Sequence, residues 1–143
     1  SNYVAKDFRI GERTILQGNM YGFLEPLEAT STGLYRSLCR CAWDGIFEKI
    51  PFEKCNQSIK REMIETQNIV LWHYQFGSKY DTPFWDYAKT LTFKDKEFTD
   101  FLEYSKISDC IPVTYGGSTK HKFYGQWPPY SFKNWNEGMT LNT

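Results

Sequence analysis

The chain has no excess of charge of either sign: 17 Lys and Arg stand against 17 Asp and Glu, for a formal net charge of zero. That removes any electrostatic case for nucleic acid or an anionic membrane surface as a partner. No apolar run approaches a membrane span and no signal-peptide pattern opens the chain, so a cytoplasmic location is expected. Metal-ligating residues are sparse. The four cysteines (Cys39, Cys41, Cys55 and Cys110) form no Cys-x-x-Cys pair, and His73 and His121 are not at ligand spacing to any of them. Cys39 and Cys41 lie two apart on a predicted helix, where their side chains diverge. Reduced thiols and no metal are expected. The chain also lacks a Gly-x-Gly-x-x-Gly loop, so it offers no cradle for a dinucleotide pyrophosphate. Few runs alternate apolar and polar residues, too few to build a sheet.

Aromatic residues, by contrast, make up 18% of the 143 residues. Such rings can fill a core or line a pocket for a flat substrate. The length suits one domain that buries about two-thirds of its surface. Thr14 to Leu16 reads as the best strand. A helix is predicted over 32–49, ended by Ile50-Pro51, and a longer one from about Phe52 to Gln75. On that helix Ile59, Met63, Thr66, Val70 and Tyr74 share one face. Gly77-Ser78 ends it, and Asp81-Thr82-Pro83 starts a third helix through Trp85 and Leu91. Lys94 to Tyr104 reads as a short charged helix with Phe98, Phe101 and Leu102. Beyond Pro112 the chain reads as irregular, punctuated by Gly116-Gly117, Gly125 and Pro128-Pro129.

The most informative stretch runs from Gly18 to Ser31. An apolar strand enters a Gly-rich turn, and a Pro-fixed turn with two carboxylates, Glu25 and Glu28, follows. Thr30, Ser31 or Thr32 can then cap a helix. The first turn of a helix has N–H donors without intrahelical acceptors and the positive end of the dipole, which suits an anion or an electron-rich cofactor edge. From spacing alone, an ordinary turn followed by a capped helix fits the same residues, since Gly-Asn and Glu-Pro steps are common in turns.

Gly22-Phe23-Leu24-Glu25-Pro26-Leu27-Glu28-Ala29-Thr30-Ser31 resembles the Glu-Pro-Leu-Glu-[Ser/Ala]-Thr-[Gly/Ser] signature of the flavin-dependent tryptophan halogenases. His73-Tyr74 through Asp81-Thr82-Pro83-Phe84-Trp85 is similar to a second run of that family, and Gly125-Gln126-Trp127 to Gly138-Met139 resembles its aromatic C-terminal stretch. The resemblance spans about Thr14 to Met139. It implies a mainly α chain: the helical C-terminal portion of a halogenase/monooxygenase-like α/β fold, with a short strand at the N-terminal end and a loop-rich tail. Residues 1–30 would be the last strand and glycine/Glu-Pro turn of a flavin-binding domain, and 31–143 a helical substrate-side domain. The family's Trp-x-Trp-x-Ile-Pro motif and the region of its catalytic lysine are absent from these residues, so a longer enzyme with an N-terminal FAD-binding part is expected.

In that family reduced FAD, delivered by a flavin reductase, reacts with dioxygen and halide to give hypohalous acid. This oxidant travels to a lysine and a glutamate beside an aromatic, indole-like substrate, which is halogenated. Glu28 matches the glutamate, to hold the halogenating species or accept the proton lost from the ring. Thr30 and Ser31 match positions whose backbone amides hold the halide. Gly18-Asn19 sits where related flavoproteins contact the cofactor's sugar chain, with Asn in place of Asp. Trp127, flanked by Tyr124 and Tyr130, lines up with aromatic substrate-pocket positions, while core packing serves these rings equally well. Glu25 reads as a solvated or backbone-bonded turn carboxylate. His73 reads as a structural histidine, and Phe84 and Trp85 as packing aromatics at a helix start. A non-catalytic aromatic-ligand-binding or interaction module derived from the same fold is the other reading.

Without a phosphate-binding loop, the 143 residues by themselves are expected neither to hold FAD tightly nor to halogenate. The absorbance spectrum of the purified chain should be that of an apoprotein, and a stoichiometric flavin band would overturn this expectation.

Overall fold

A computed structural model of the chain describes residues 3–24, 27, 30–75, 81–93, 95–107, 124–125 and 127–140. The chain forms two compact units, Ser1–Val70 and Leu71–Thr143. The architecture is mainly helical with short strands at the N-terminal end, as the sequence implies.

In the first unit, β1 (Tyr3–Val4) pairs antiparallel with β4 (Gly22–Phe23), and β2 (Arg9–Ile10) with β3 (Thr14–Ile15). The β2–β3 hairpin turns through Gly11, whose φ of 60° is the left-handed conformation a tight loop requires. Ladders two residues long do not stabilise themselves. They are fixed by what they pack against: α1 (Thr30–Ile46) and the first part of α2 (Phe52–Gln75). Phe8, Tyr21 and Leu24 from the strand region join Leu34 and Leu38 of α1 and Cys55, Ile59 and Met63 of α2 in one buried cluster. Each large apolar side chain buried there contributes about 1.5–3 kcal/mol. The helical spacing read from the sequence is borne out on α2, where Ile59, Met63, Thr66 and Val70 are all buried and Tyr74 is half-buried.

Both helices sit close to their expected spans. α1 starts at Thr30, so Ser31 and Thr32 lie inside its first turn rather than ahead of it, and it ends at Ile46 rather than at 49. Lys49, with φ of 58°, turns the chain toward Pro51, and Pro51 O accepts the N–H groups of Lys54 and Cys55. Cys41 and Cys55 face each other across α1 and α2, with the Cys41 thiol directed at Cys55 O at 3.8 Å. Burial pushes the Cys41 thiol up to about 11, reinforced by the Cys55 thiol and by Asp44. The Cys55 thiol is raised as well, again mainly by burial.

The second unit contains the last turn of α2, α3 (Pro83–Thr90), α4 (Lys96–Ile107) and α5 (Pro129–Thr140), with α4 packed on α5. Its core is aromatic. Phe132 stacks on Trp72 at 5.0 Å and meets Phe101 edge-on at 4.8 Å, and Phe98 and Tyr124 close the cluster at 4.9 Å. Pro83 occupies the first helical position of α3 after an extended Thr82, where its missing N–H is harmless. Asp95 caps α4, its Oδ1 accepting the Glu97 N–H at 3.0 Å. Gly116-Gly117 lies outside the described residues, and among the described ones the tail departs from the sequence reading at Pro128-Pro129. Pro128-Pro129, taken as punctuation, instead starts α5, with Pro129 as its first residue. Proline fixes φ near the helical value, so the pair marks an entry as readily as a break.

Gly22 is the tightest point of the first unit. A Cβ there would lie 3.0 Å from Met63 Cε and 3.0 Å from Tyr3 O. Gly22→Ala should lower the unfolding free energy by about 1–3 kcal/mol, the usual range for overpacking. A denaturant midpoint unchanged from wild type would show that the close approach is dispensable.

Candidate functional site

Two clusters carry the residues singled out by sequence, one in each unit. The first is the turn from Gln17 to Leu24 together with the start of α1. Gly18 has φ of 54° and opens a single 3-10 turn, Gly18–Met20, closed by the Tyr21 N–H on Gly18 O at 3.0 Å. α1 fastens that turn from several points. Tyr35 Oη donates to Asn19 Oδ1, Gln17 Nε2 donates to Leu38 O at 3.4 Å, and Tyr3 Oη donates to the Asn19 carbonyl from β1. Asn19 itself is exposed. Its Oδ1 is committed to Tyr35.

Ser31 precedes Tyr35 by four residues and therefore shares its helix face. Ser31 Oγ is buried and has no hydrogen-bond partner, whereas Thr30 is buried at 8% exposure. A buried hydroxyl without a partner costs about 1–3 kcal/mol. It sits in the first turn of α1, among N–H groups with no intrahelical acceptor. The structure thus brings Gly18, Asn19, Thr30 and Ser31 to one region, joined by Tyr35. Glu25, Pro26, Glu28 and Ala29 lie outside the described residues. Tyr21, immediately after the turn, is fully buried, and its hydroxyl is pushed up to about 12, chiefly by burial and then by Asp7 and Cys41. It stays protonated and neutral.

The second cluster holds the aromatic candidates. Tyr124 and Trp127 form an antiparallel bridge, each N–H 3.0 Å from the other's carbonyl, around Gly125 at φ of 56°. Tyr124 is 2% exposed, its hydroxyl donates to Asp95 Oδ2 at 2.9 Å, and its ring packs on Phe98 and Phe101. That placement serves the core. Trp127 and Tyr130 are half-buried and retain accessible ring surface. The His73 ring lies 4.0 Å from that of Trp135, and Tyr74 contacts Phe84 at 5.8 Å and Trp85 at 5.7 Å. The second sequence run therefore packs largely on itself, with Tyr74 at the end of α2 closing on the first turn of α3.

The tryptophan halogenase profile matches residues 10–138, which includes both clusters. The chain belongs to the tryptophan halogenase family. It is similar to the tryptophan 6-halogenase ThaL of Streptomyces albogriseolus, 29% identical over 123 residues that cover 81% of this chain and 22% of that protein. The chain thus spans about a fifth of the length of this curated relative. No solved structure gives a significant match. Among the described residues of this halogenase-family chain, no group of three His, Cys, Asp or Glu could hold a metal ion, and no helix is long and apolar enough to cross a membrane.

Sequence reasoning missed the residues that position the turn. Tyr35 carried a usable signal, four residues after Ser31, but nothing local marks Gln17 or Tyr3 as partners of Asn19 and α1. Sequence reasoning missed Asp95 as well, which caps α4 and accepts the Tyr124 hydroxyl.

Because the Ser31 hydroxyl is buried and unpaired, Ser31→Ala should leave the fold intact and raise its stability by about 0.5–1 kcal/mol, helped by alanine's better helix propensity. Urea unfolding of the two proteins checks this. A loss of stability would mean that the hydroxyl has a partner inside the chain.

Proposed function

We propose that this chain is the helical, substrate-side part of a flavin-dependent halogenase that acts on a tryptophan- or indole-like aromatic, and that it works with an FAD-binding part and a flavin reductase. The observation that carries the reading is the turn fastened to the start of α1. Asn19 is held by Tyr35, and Thr30 and Ser31 stand in the first turn of α1. The backbone N–H groups of a first helical turn lack intrahelical acceptors and suit a halide ion, which needs donors and no acceptor. Thr30 and Ser31 are the residues that would hold it, and Gly18 and Asn19 would contact the sugar chain of FAD. Bound reduced FAD would supply the oxidising equivalent from dioxygen.

What this chain's own residues would do is bind, separate and orient. Glu28 follows the turn by a few residues and precedes the helix by two, so it shares a segment with the halide-side amides. A carboxylate there would hydrogen-bond the halogenating species and take up the proton released when the ring regains aromaticity. Trp127 and Tyr130, both half-buried, would stack on the flat substrate. Tyr124 would hold the turn that presents Trp127, through the bridge between them and its bond to Asp95.

Glu28→Gln keeps size and removes charge, which separates chemistry from packing. In the enzyme carrying this chain, supplied with FAD, flavin reductase, halide and tryptophan, this variant should halogenate about 10²–10⁴-fold more slowly while flavin oxidation continues. The measured quantity is halogenated product per flavin oxidised. An equal yield from both proteins would return Glu28 to an ordinary turn, and no halogenated product from the unsubstituted protein would favour the ligand-binding or interaction module over the enzyme.

A further inference from the structure

The turn that carries Asn19 closes on its own backbone. The Met20 N–H reaches Gln17 O at 3.1 Å and the Tyr21 N–H reaches Gly18 O at 3.0 Å, which completes the single 3-10 turn. Two tyrosine hydroxyls nevertheless converge on Asn19 from both directions along the chain. Tyr3, 16 residues before it on β1, donates to its main-chain carbonyl, and Tyr35, 16 residues after it on α1, donates to its side-chain Oδ1. Gln17 is held at both ends as well. Its Nε2 donates to Leu38 O at 3.4 Å, and its Oε1 accepts the Cys39 thiol at 3.5 Å. The turn is therefore tied to α1 through the side chains of Gln17 and Asn19, and to β1 through the Asn19 peptide.

Asn19 is exposed, and an exposed asparagine ordinarily samples several rotamers. Tyr35 is a stiff support for it. The Tyr35 residue is half-buried and packs against the buried cluster of the first unit, while its hydroxyl bonds Asn19. That bond also decides what Asn19 has left to offer. An asparagine side chain carries one acceptor oxygen and an NH2 group with two donors. With Oδ1 engaged by Tyr35, the Nδ2 donors are the end left for a ligand. Ordering one loose side chain on binding costs about 2–10-fold in affinity, a loss that a side chain already held does not incur.

We propose that Tyr35 is a positioning residue for FAD: its hydroxyl fixes the Asn19 amide so that Nδ2 donates to an acceptor oxygen of the cofactor. This role rests on the reading above that Gly18 and Asn19 contact FAD, and it adds the residue that orders the contact and the direction of the hydrogen bond. An aspartate in place of Asn19 could still accept from Tyr35 but would have no N–H to give.

The test is made on the enzyme that carries this chain together with its FAD-binding part, by titrating FAD and following the quenching of flavin fluorescence. Tyr35→Phe keeps the ring that packs on the core and removes only the hydroxyl. It should weaken FAD by about 3–10-fold, with an unchanged midpoint of urea unfolding. Asn19→Ala should weaken FAD at least as much, and in that background Tyr35→Phe should have no further effect. A merely structural Tyr35 would act alike in both backgrounds. Asn19→Asp should bind FAD no better than Asn19→Ala. The proposal is overturned if Tyr35→Phe leaves FAD affinity unchanged, if it weakens FAD equally with and without the Asn19 side chain, or if Asn19→Asp binds FAD as tightly as the unsubstituted enzyme. Any of these results in an enzyme that binds FAD leaves the halogenase reading standing, whereas an unsubstituted enzyme that binds no FAD overturns both.

Discussion

The first unit depends on a backbone passing very close to a helix. Gly22 runs against Met63 of α2 with no room for a side chain, and this contact lets Tyr21 and Leu24 on either side reach full burial beside Leu34 and Leu38. The strands are two residues long, so their hydrogen bonds follow from side-chain burial and do not cause it. Once Tyr21 is seated, the preceding 3-10 turn has little freedom. Gly18 takes the left-handed conformation, and Asn19 falls within reach of Tyr35 and Tyr3. The position of the candidate halide and flavin contacts is thus set by packing several residues away, which is how a loop gains the rigidity that site chemistry requires.

The second unit solves a different problem, how to order rings that have few distinguishing polar groups. Phe98, Phe101, Tyr124 and Phe132 pack at tilted or edge-on angles, the arrangement favoured by the ring quadrupole. Asp95 supplies the directional element. One oxygen starts α4 and the other receives the Tyr124 hydroxyl, so a single carboxylate ties a helix start to the turn that carries Trp127. The pairing of Tyr74 with Phe84 and Trp85 works similarly at the end of α2, and it accounts for that aromatic run on packing grounds alone.

Helical periodicity was legible in α1 and α2, where one face is buried. α2 was readable to its first and last residue, because Phe52 follows a proline and Ile59, Met63, Thr66 and Val70 repeat at three and four. α5 was not, because Pro128-Pro129 was read as punctuation, and the run after it buries Phe132 among neighbours that only the tertiary structure supplies. In the site, Gly18 was legible from its residue type, since a left-handed turn favours glycine. The partners of Asn19 were not, because Tyr3 and Tyr35 each stand 16 residues away and no local pattern links them to it. Tyr124 and Trp127 were readable as neighbours in sequence, but one is core and the other half-buried, a difference set by Asp95 and α4.

The interior of the first unit also holds polar groups buried in two different ways. The Tyr21 hydroxyl and the Cys41 and Cys55 thiols are all shifted toward their neutral forms by burial, so near neutral pH they act as packing atoms, and a thiolate nucleophile at Cys41 is disfavoured. Ser31 Oγ and Asn56 Oδ1 differ in kind, since neither can discharge its polarity by changing protonation state and each is buried without a partner. Each is a local cost that the surrounding packing outweighs: one hydroxyl lies in the first turn of α1, and one amide oxygen is left over because Nδ2 of the same group is committed to Asp7.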